Sequence, residues 1–368
     1  MLRFIDSFNH YQTADILRKW TNVPPVYQDM LPGGATLNTF LTIDNAGGRR
    51  GGGIKIAVGW DGVSSFFGGP FAMGLNVMKT LDSQSTWIIG FAYKVSILPY
   101  THFNIVSLTD IGIQQLVVVL NLDGTVQIKC GNTVLATSSS PLSTGNWQYL
   151  EFKATIGTSG SVELRKNGRT IASASGVVTK TTANNSANAI VLGLQTGSTG
   201  GPAVNVFYDD VYVCDGTGTT NNNFLGDCSI DVYLPSGNGT HSDFLGSDGN
   251  SIDNYLLVNQ TYPDDDTTYV HSDVLNAQDT YIIPDMPFTP TAIYGIQSNF
   301  IAKKNDAGPR EISTAIRLSG VDYVGGGSQV LSTTYNNVMS IIELCPATSA
   351  AWNIAEFNAA EFGVKITV

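Results

Sequence analysis

The chain predicts an all-β protein, a large sandwich followed by a second, smaller β-rich domain, and three observations carry that prediction. Charged residues are only 13% of the 368 while glycine numbers 39, and the spaces between apolar runs are filled by Ser, Thr, Asn and Gly, as in turn-rich β proteins. Apolar residues recur with a period of two, most clearly from Trp87 to Ser96, where Trp87, Ile89, Phe91, Tyr93 and Val95 mark one side of a half-buried strand. Asp123-Gly124 and Asn167-Gly168 stand between such runs, and their tolerance of positive φ suits tight hairpins. A chain of this length accommodates two cores, since domains run about 100–200 residues.

Residues 1–25 form an N-terminal helical anchor segment: Thr13 caps a two-turn helix whose Ile16, Leu17 and Trp20 share one face, Pro24-Pro25 end it, and it docks on the sandwich. The sandwich is placed at 26–214. Beyond Gly51-Gly52-Gly53 its strands include Phe103–Leu108, Gln114–Leu120, Thr125–Cys130 and a strand from Trp147. That last strand puts Leu150, Phe152 and Ala154 on one face and Tyr149, Glu151 and Lys153 on the other. Through Val204–Val213 the alternation changes phase at Asp209-Asp210, which a β-bulge explains. Residues 215–228 read as the linker, polar and glycine-rich at their start, and 229–368 as the C-terminal β-rich domain. In that domain Thr291–Lys303 is the most regular strand, and a helical turn at Asn353–Ala359 leads to a last strand at Phe362–Val368.

Thirty acidic against nineteen basic residues give a formal charge of −11, which opposes binding to nucleic acid or to anionic membrane surfaces. No run approaches the ~18–20 apolar residues of a membrane-spanning helix, and the N-terminus lacks a signal-peptide layout, so synthesis in a cytosol without export is expected. Cys130, Cys214, Cys228 and Cys345 form no CxxC pair and no zinc spacing. They read as free buried thiols, with Cys214 and Cys228 the one pair near enough in sequence to suspect of bridging.

The chemistry-bearing patterns are sparse. A glycoside hydrolase on a sandwich needs two facing carboxylates, usually spaced E-x-D-x-x-E, and that spacing is absent. Glu151 and Glu163 each have a basic residue two along, Lys153 and Arg165, and read as solvated cross-strand pairing partners. His10, His102, His241 and His271 are scattered and read as exposed or capping residues. The runs Gly47–Gly53 and Gly325–Gly327 lack a phosphate-loop ending and read as loops. Among acidic clusters, Asp209-Asp210 read as partners of bulge amides and Asp264–Asp266 as a turn, ahead of a calcium site there or at Asp248 and Asp253. Trp87, Trp147, Tyr149 and Tyr212 are of the type that stacks on sugar rings, but large aromatics in sandwiches are mostly packing. No catalytic, cofactor-binding or metal-binding residue is assigned, and no cofactor is expected.

The stretches Asn146–Phe152, Val162–Ile171 and Phe207–Val213 resemble the closing strands of a concanavalin A-like (laminin-G-like) jelly roll. A second resemblance begins at Phe4-Ile5-Asp6-Ser7-Phe8-Asn9-His10-Tyr11 with Lys19-Trp20 and continues at Gly145–Glu151, Tyr208–Val213, Asp215–Gly218 and Asn221–Asp227. It ends with Asp264–Val270 and Trp352–Val364, and is to a group of uncharacterised structural proteins of tailed bacteriophages. That resemblance implies a non-enzymatic virion structural protein, a capsid decoration or tail-associated component made in the host cytoplasm and residing in the virion. Its implied partners are other virion proteins, capsid or tail, and copies of itself as a homo-oligomer, a trimer being the natural count. The rival expectation is a lectin-like protein of a tail fibre that binds a host glycan, and a weaker one is a polysaccharide depolymerase.

Overall fold

The computed structural model describes residues 1–21, 41–58, 75–194 and 204–368. The predicted stop at Pro24-Pro25 lies outside them. The described chain is all-β and falls into two compact units, one of Met1 and Arg3–Ile230 and one of Leu2 and Asp231–Val368.

The strands of the first unit are β1 (Leu2–Asp6), β2 (Leu41–Asp44), β3 (Gly53–Val58), β4 (Leu75–Gln84), β5 (Thr86–Val95), β6 (Phe103–Asp110) and β7 (Ile113–Leu120). They continue with β8 (Val126–Cys130), β9 (Thr133–Thr137), β10 (Gln148–Thr155), β11 (Gly160–Lys166), β12 (Arg169–Val177), β13 (Ala187–Leu194) and β14 (Val204–Asp215). Among the described residues they make two antiparallel sheets. One runs β12-β11-β10-β5-β14-β3-β2, with β1 also on β14, and the other runs β4-β13-β6-β7-β8-β9. The sheets face one another as a sandwich of the jelly-roll class. Tyr208 Oη donates from β14 to the Ile105 carbonyl at 2.7 Å, and Trp87 Nε1 donates from β5 to the Ala187 carbonyl at 3.0 Å. Between the layers lie Trp87, Phe91, Tyr93, Leu150, Phe152, Val206 and Tyr208, all but inaccessible to solvent.

Local chemistry sets this geometry. Asn167 (φ 49°) and Gly168 (φ 77°) both take the left-handed conformation, and Lys166 faces Arg169 across the two-residue loop, as a type I′ hairpin requires. The expected bulge is present: between Asp209 opposite Ala92 and Tyr212 opposite Gly90, β14 spends one residue more than β5, and Asp210 turns to φ 49°. Strand β5, expected to be half-buried, is buried on both faces. The reason lies in its small residues: a Cβ on Gly90 would stand 2.0 Å from the Tyr212 ring, so glycine there lets Tyr212 lie flat across the outer side.

The N-terminal segment differs from a two-turn helix. It starts as strand β1 and then makes a 3₁₀ turn at Thr13–Asp15 and one α-turn, α1 (Ile16–Lys19), with Gln12 and Asp15 at their respective N-cap positions. Thr13 Oγ1 accepts instead from the Ile43 amide at 2.9 Å, and Leu17 points to solvent while Ile16 and Trp20 are buried. The buried Asp6 carboxylate ties the segment together, accepting from Lys19 Nζ (3.1 Å), Tyr11 Oη (2.6 Å) and Trp20 Nε1 (2.8 Å). His10 is not exposed: its Nε2 lies 3.0 Å from Lys19 Nζ, and burial pushes its pKa down to about 3.

The second unit holds β15 (Gly237–Ser242), β16 (Leu245–Gly246), β17 (Val270–His271), β18 (Gln278–Ile282), β19 (Ile296–Ala302), β20 (Glu311–Leu318), β21 (Val321–Val330), β22 (Asn336–Ile342), α2 (Ile354–Ala359) and β23 (Glu361–Ile366). Its main sheet runs β15-β18-β23-β20-β21, with β16–β17 and β19–β22 as separate pairs. The core is small: Ile316, Leu318, Ile342, Cys345, Trp352 and Ala360 form one cluster, and Ile312, Leu331 and Val338 another. Helix α2 begins in a capping box, with Asn353 accepting from the Glu356 amide.

Candidate functional site

The side of the larger sheet turned away from the sandwich core carries the unit's candidate site. Alternation on β2, β3, β14, β5 and β10 brings Thr42, Lys55, Phe207 and Lys94 into one row, since Thr42 faces Lys55, Lys55 faces Phe207 and Phe207 faces Lys94. Trp147, just ahead of β10, completes it. Lys94 Nζ lies 4.7 Å from the Trp147 ring centre and 4.4 Å from that of Phe207, and the two rings meet edge to face at 6.4 Å. All five side chains are partly exposed. One residue-pair further along, Asn205 of β14 projects from the same side.

Trp147 is held by its neighbours. The Gln148 side chain clamps both backbone groups of Ser143, accepting from its amide at 3.0 Å and donating to its carbonyl at 2.8 Å. Gly145, at φ 75°, donates to the Val95 carbonyl at 2.8 Å, so the loop enters β10 along one path.

The other half of the same face is closed over. Residues 224–230 lie across it: the Gly226 amide donates to Glu151 Oε1 at 2.8 Å, the Leu225 amide to Tyr212 Oη at 3.1 Å, and the Ile230 amide to Asp210 Oδ1 at 2.7 Å. The predicted linker 215–228 is therefore not a free span, because its second part is hydrogen-bonded to the sandwich. Glu151 is correspondingly not a solvated pairing partner of Lys153. It is buried and accepts from Tyr212 Oη at 2.5 Å. Glu163 does stay at the surface, with Arg165 of its own strand at 2.8 Å and Thr170 Oγ1 at 2.6 Å.

Arg49 pins the closed half. Its guanidinium lies over Tyr149 at 5.4 Å, pairs with Asp210 at 2.9 Å and with Asp227, and donates to the Cys228 carbonyl at 2.7 Å. The glycine-rich loop carrying it wraps a carboxylate with backbone amides: Asp209 Oδ2 accepts from Arg49 N at 2.6 Å and Arg50 N at 3.3 Å, while Oδ1 accepts from Asp210 N at 2.7 Å. Burial, with Asp210 beside it, nonetheless raises the Asp209 pKa to about 7, against those amides. An open depression of about 440 Å³ lies here, lined by Arg49, Arg50, Asp227 and Ser229.

The other sequence candidates sort as follows. Trp87, Tyr149 and Tyr212 are buried, so Trp147 alone of the four named aromatics has a ring at the surface. Asp264–Asp266 form a turn in which Asp265 takes φ 54° and Asp266 pairs with Lys303 at 2.6 Å. No group of three or more His, Cys, Asp or Glu is arranged to hold a metal ion among the described residues. All four cysteines are free thiols, Cys130, Cys214 and Cys345 buried and Cys228 half-buried, its pKa pushed up to about 12 by burial and the acids around it. Sequence reasoning missed Lys55, Phe207 and Lys94. The signal was present as one aromatic or lysine at an outward position on each of three separate strands, but which strands adjoin is not written in any one of them.

No family model and no curated protein matches the chain. Among solved structures it is similar to the endo-β-1,4-glucuronan lyase of the fungus Trichoderma reesei, at 15% identity and a TM-score of 0.42, over 58% of this chain and 95% of that one. It is also similar to the alginate lyase Aly36B, at 10% identity and a TM-score of 0.39 over 58% and 96%, and to a sialidase, at 12% and 0.36 over 47% and 16%. At these identities no activity passes from them to this chain. The expectation of a non-enzymatic bacteriophage virion component is corrected by these findings: the solved structures named here are polysaccharide lyases and a sialidase.

Proposed function

We propose that this protein binds carbohydrate on the open half of the outer face, with Trp147 as the platform on which a sugar ring stacks. The carrying observation is that Trp147 is half open and held by the Ser143–Gln148 clamp, whereas the comparable rings of Trp87, Tyr149 and Tyr212 are sealed. A sugar ring offers an apolar face and a polar rim. A fixed indole matches the first at little cost in side-chain entropy, and polar groups around it match the second. Asn205, two strands from the indole, and Thr42, four strands away, supply amide and hydroxyl groups on the same side of the sheet, where further rings of one oligosaccharide would lie. The fold supplies a rigid frame for this reading; the site supports it residue by residue.

The test is isothermal titration of the full chain with a panel of soluble oligosaccharides, neutral and acidic. A saturable interaction is expected, weakened more than 10-fold by Trp147→Ala and unchanged by Lys303→Gln in the second unit. The absence of binding across the panel, or binding indifferent to Trp147→Ala, would overturn the reading.

A further inference from the structure

We infer that the carbohydrate taken by this face is acidic, bearing carboxylate or sulfate groups that meet Lys55 and Lys94. The inference rests on the carbohydrate reading and narrows it. In a chain of net charge −11 with nineteen Lys and Arg residues, eight of those side chains stand in ion pairs with carboxylates among the described residues. Lys55 and Lys94 have no carboxylate partner among the described residues, and they share one row with the exposed indole.

Their placement has a length scale. β14 lies between β3 and β5, so the two lysines stand two strand spacings apart, about 10 Å. The two stems thus rise from the sheet with Phe207 between them, and a chain carrying acids on more than one ring can meet each lysine with its own charge. The Lys94 ammonium itself lies over the Trp147 and Phe207 rings, so its charge is held at the platform instead of ranging free in water.

The acids on this side do not cancel the pair. Asp44, one row away on β2, accepts from the Ala46 amide at 3.2 Å, and Asp209, one row away on β14, is held by the amides of Arg49, Arg50 and Asp210. Asp209 is also raised to about 7 by burial and Asp210, so its negative charge is incomplete near neutrality. Single-stranded nucleic acid, the other polyanion that uses cations and rings, is served by a succession of stacking rings along a groove lined with positive charge. Here Phe207 meets Trp147 edge-on, and two lysines form the whole positive row.

The deciding experiment titrates the full chain at 20 and 200 mM NaCl with a polyuronate oligomer, a sulfated oligosaccharide, a neutral oligosaccharide of equal length and a single-stranded DNA oligomer. The acidic glycans are expected to bind at least 10-fold tighter than the neutral one at low salt, and whichever acid binds tighter identifies the anionic group. Lys94→Gln and Lys55→Gln should each weaken acidic-glycan binding several-fold and flatten its salt dependence. Lys55→Gln carries the decision if Lys94→Gln disturbs the rings. Equal binding of neutral and acidic glycans, with a salt dependence unmoved by Lys55→Gln, would overturn the inference and leave the carbohydrate reading standing. Failure of every glycan would remove both, and tighter binding of DNA would reassign the row to nucleic acid.

Discussion

Trp147, just ahead of β10, and Glu151, on it, project to the same side of the sheet four residues apart, yet Glu151 is sealed from solvent and Trp147 lies half open. Residues 224–230 and the loop carrying Arg49 make the difference. They return across the face at Glu151, Tyr212 and Asp210, where amides and a guanidinium meet carboxylates, and they leave the row of Lys55, Phe207, Lys94 and Trp147 uncovered. The two halves are made of similar residue types, aromatics with cations over them, and they do different work. Where the covering segment satisfies the polar groups, the cluster holds the unit together; where the cations keep no acid partner among the described residues, the surface is left for something else.

Substitutions on the two halves should therefore separate stability from binding. Gly90→Ala has the largest expected effect. Its Cβ would stand 2.0 Å from a Tyr212 ring that Glu151 and Leu225 hold in place, so urea denaturation should show a loss of about 3 kcal/mol. Should it be tolerated at full stability, the closed half is less tightly packed than it looks.

Asp209 supplies a pH signature for the closed half. Its folded pKa, near 7, stands above its unfolded value, so its contribution is fully present below about pH 4 and is lost as the pH rises through 7. Asp209→Asn should remove on the order of 2 kcal/mol of stability loss between those limits, read as a flatter urea midpoint from pH 4 to 7.5. A profile identical to that of the unsubstituted protein would show that the carboxylate titrates normally.

Trp147→Ala should cost no more than about 1 kcal/mol in the same denaturation measurement, the edge-to-face and cation–π contacts of a partly exposed ring, while removing glycan binding. A loss of several kcal/mol would place Trp147 with the closed half. Glu163→Ala should change stability least, by less than about 0.5 kcal/mol, because its pairing with Arg165 is at the surface and screened by salt.

The sequence by itself determined the β architecture and much of its punctuation. A period of two, an Asn-Gly pair and a phase slip at Asp209-Asp210 are local signals, and local steric preference decides what the backbone does with them. It also marked Leu150, Phe152 and Ala154 as the core side of β10, because alternation assigns each residue to a face. Tertiary structure alone decided what became of the opposite face. It made Glu151 a buried acceptor, His10 a half-buried neutral imidazole and Asp209 a carboxylate wrapped by a glycine-rich loop, and it assembled Lys55, Phe207, Lys94 and Trp147 from four segments distant in sequence. Alternation says which way a side chain points. Whether water, a returning segment or a neighbouring strand's lysine lies beyond it depends on which distant residues the chain brings there.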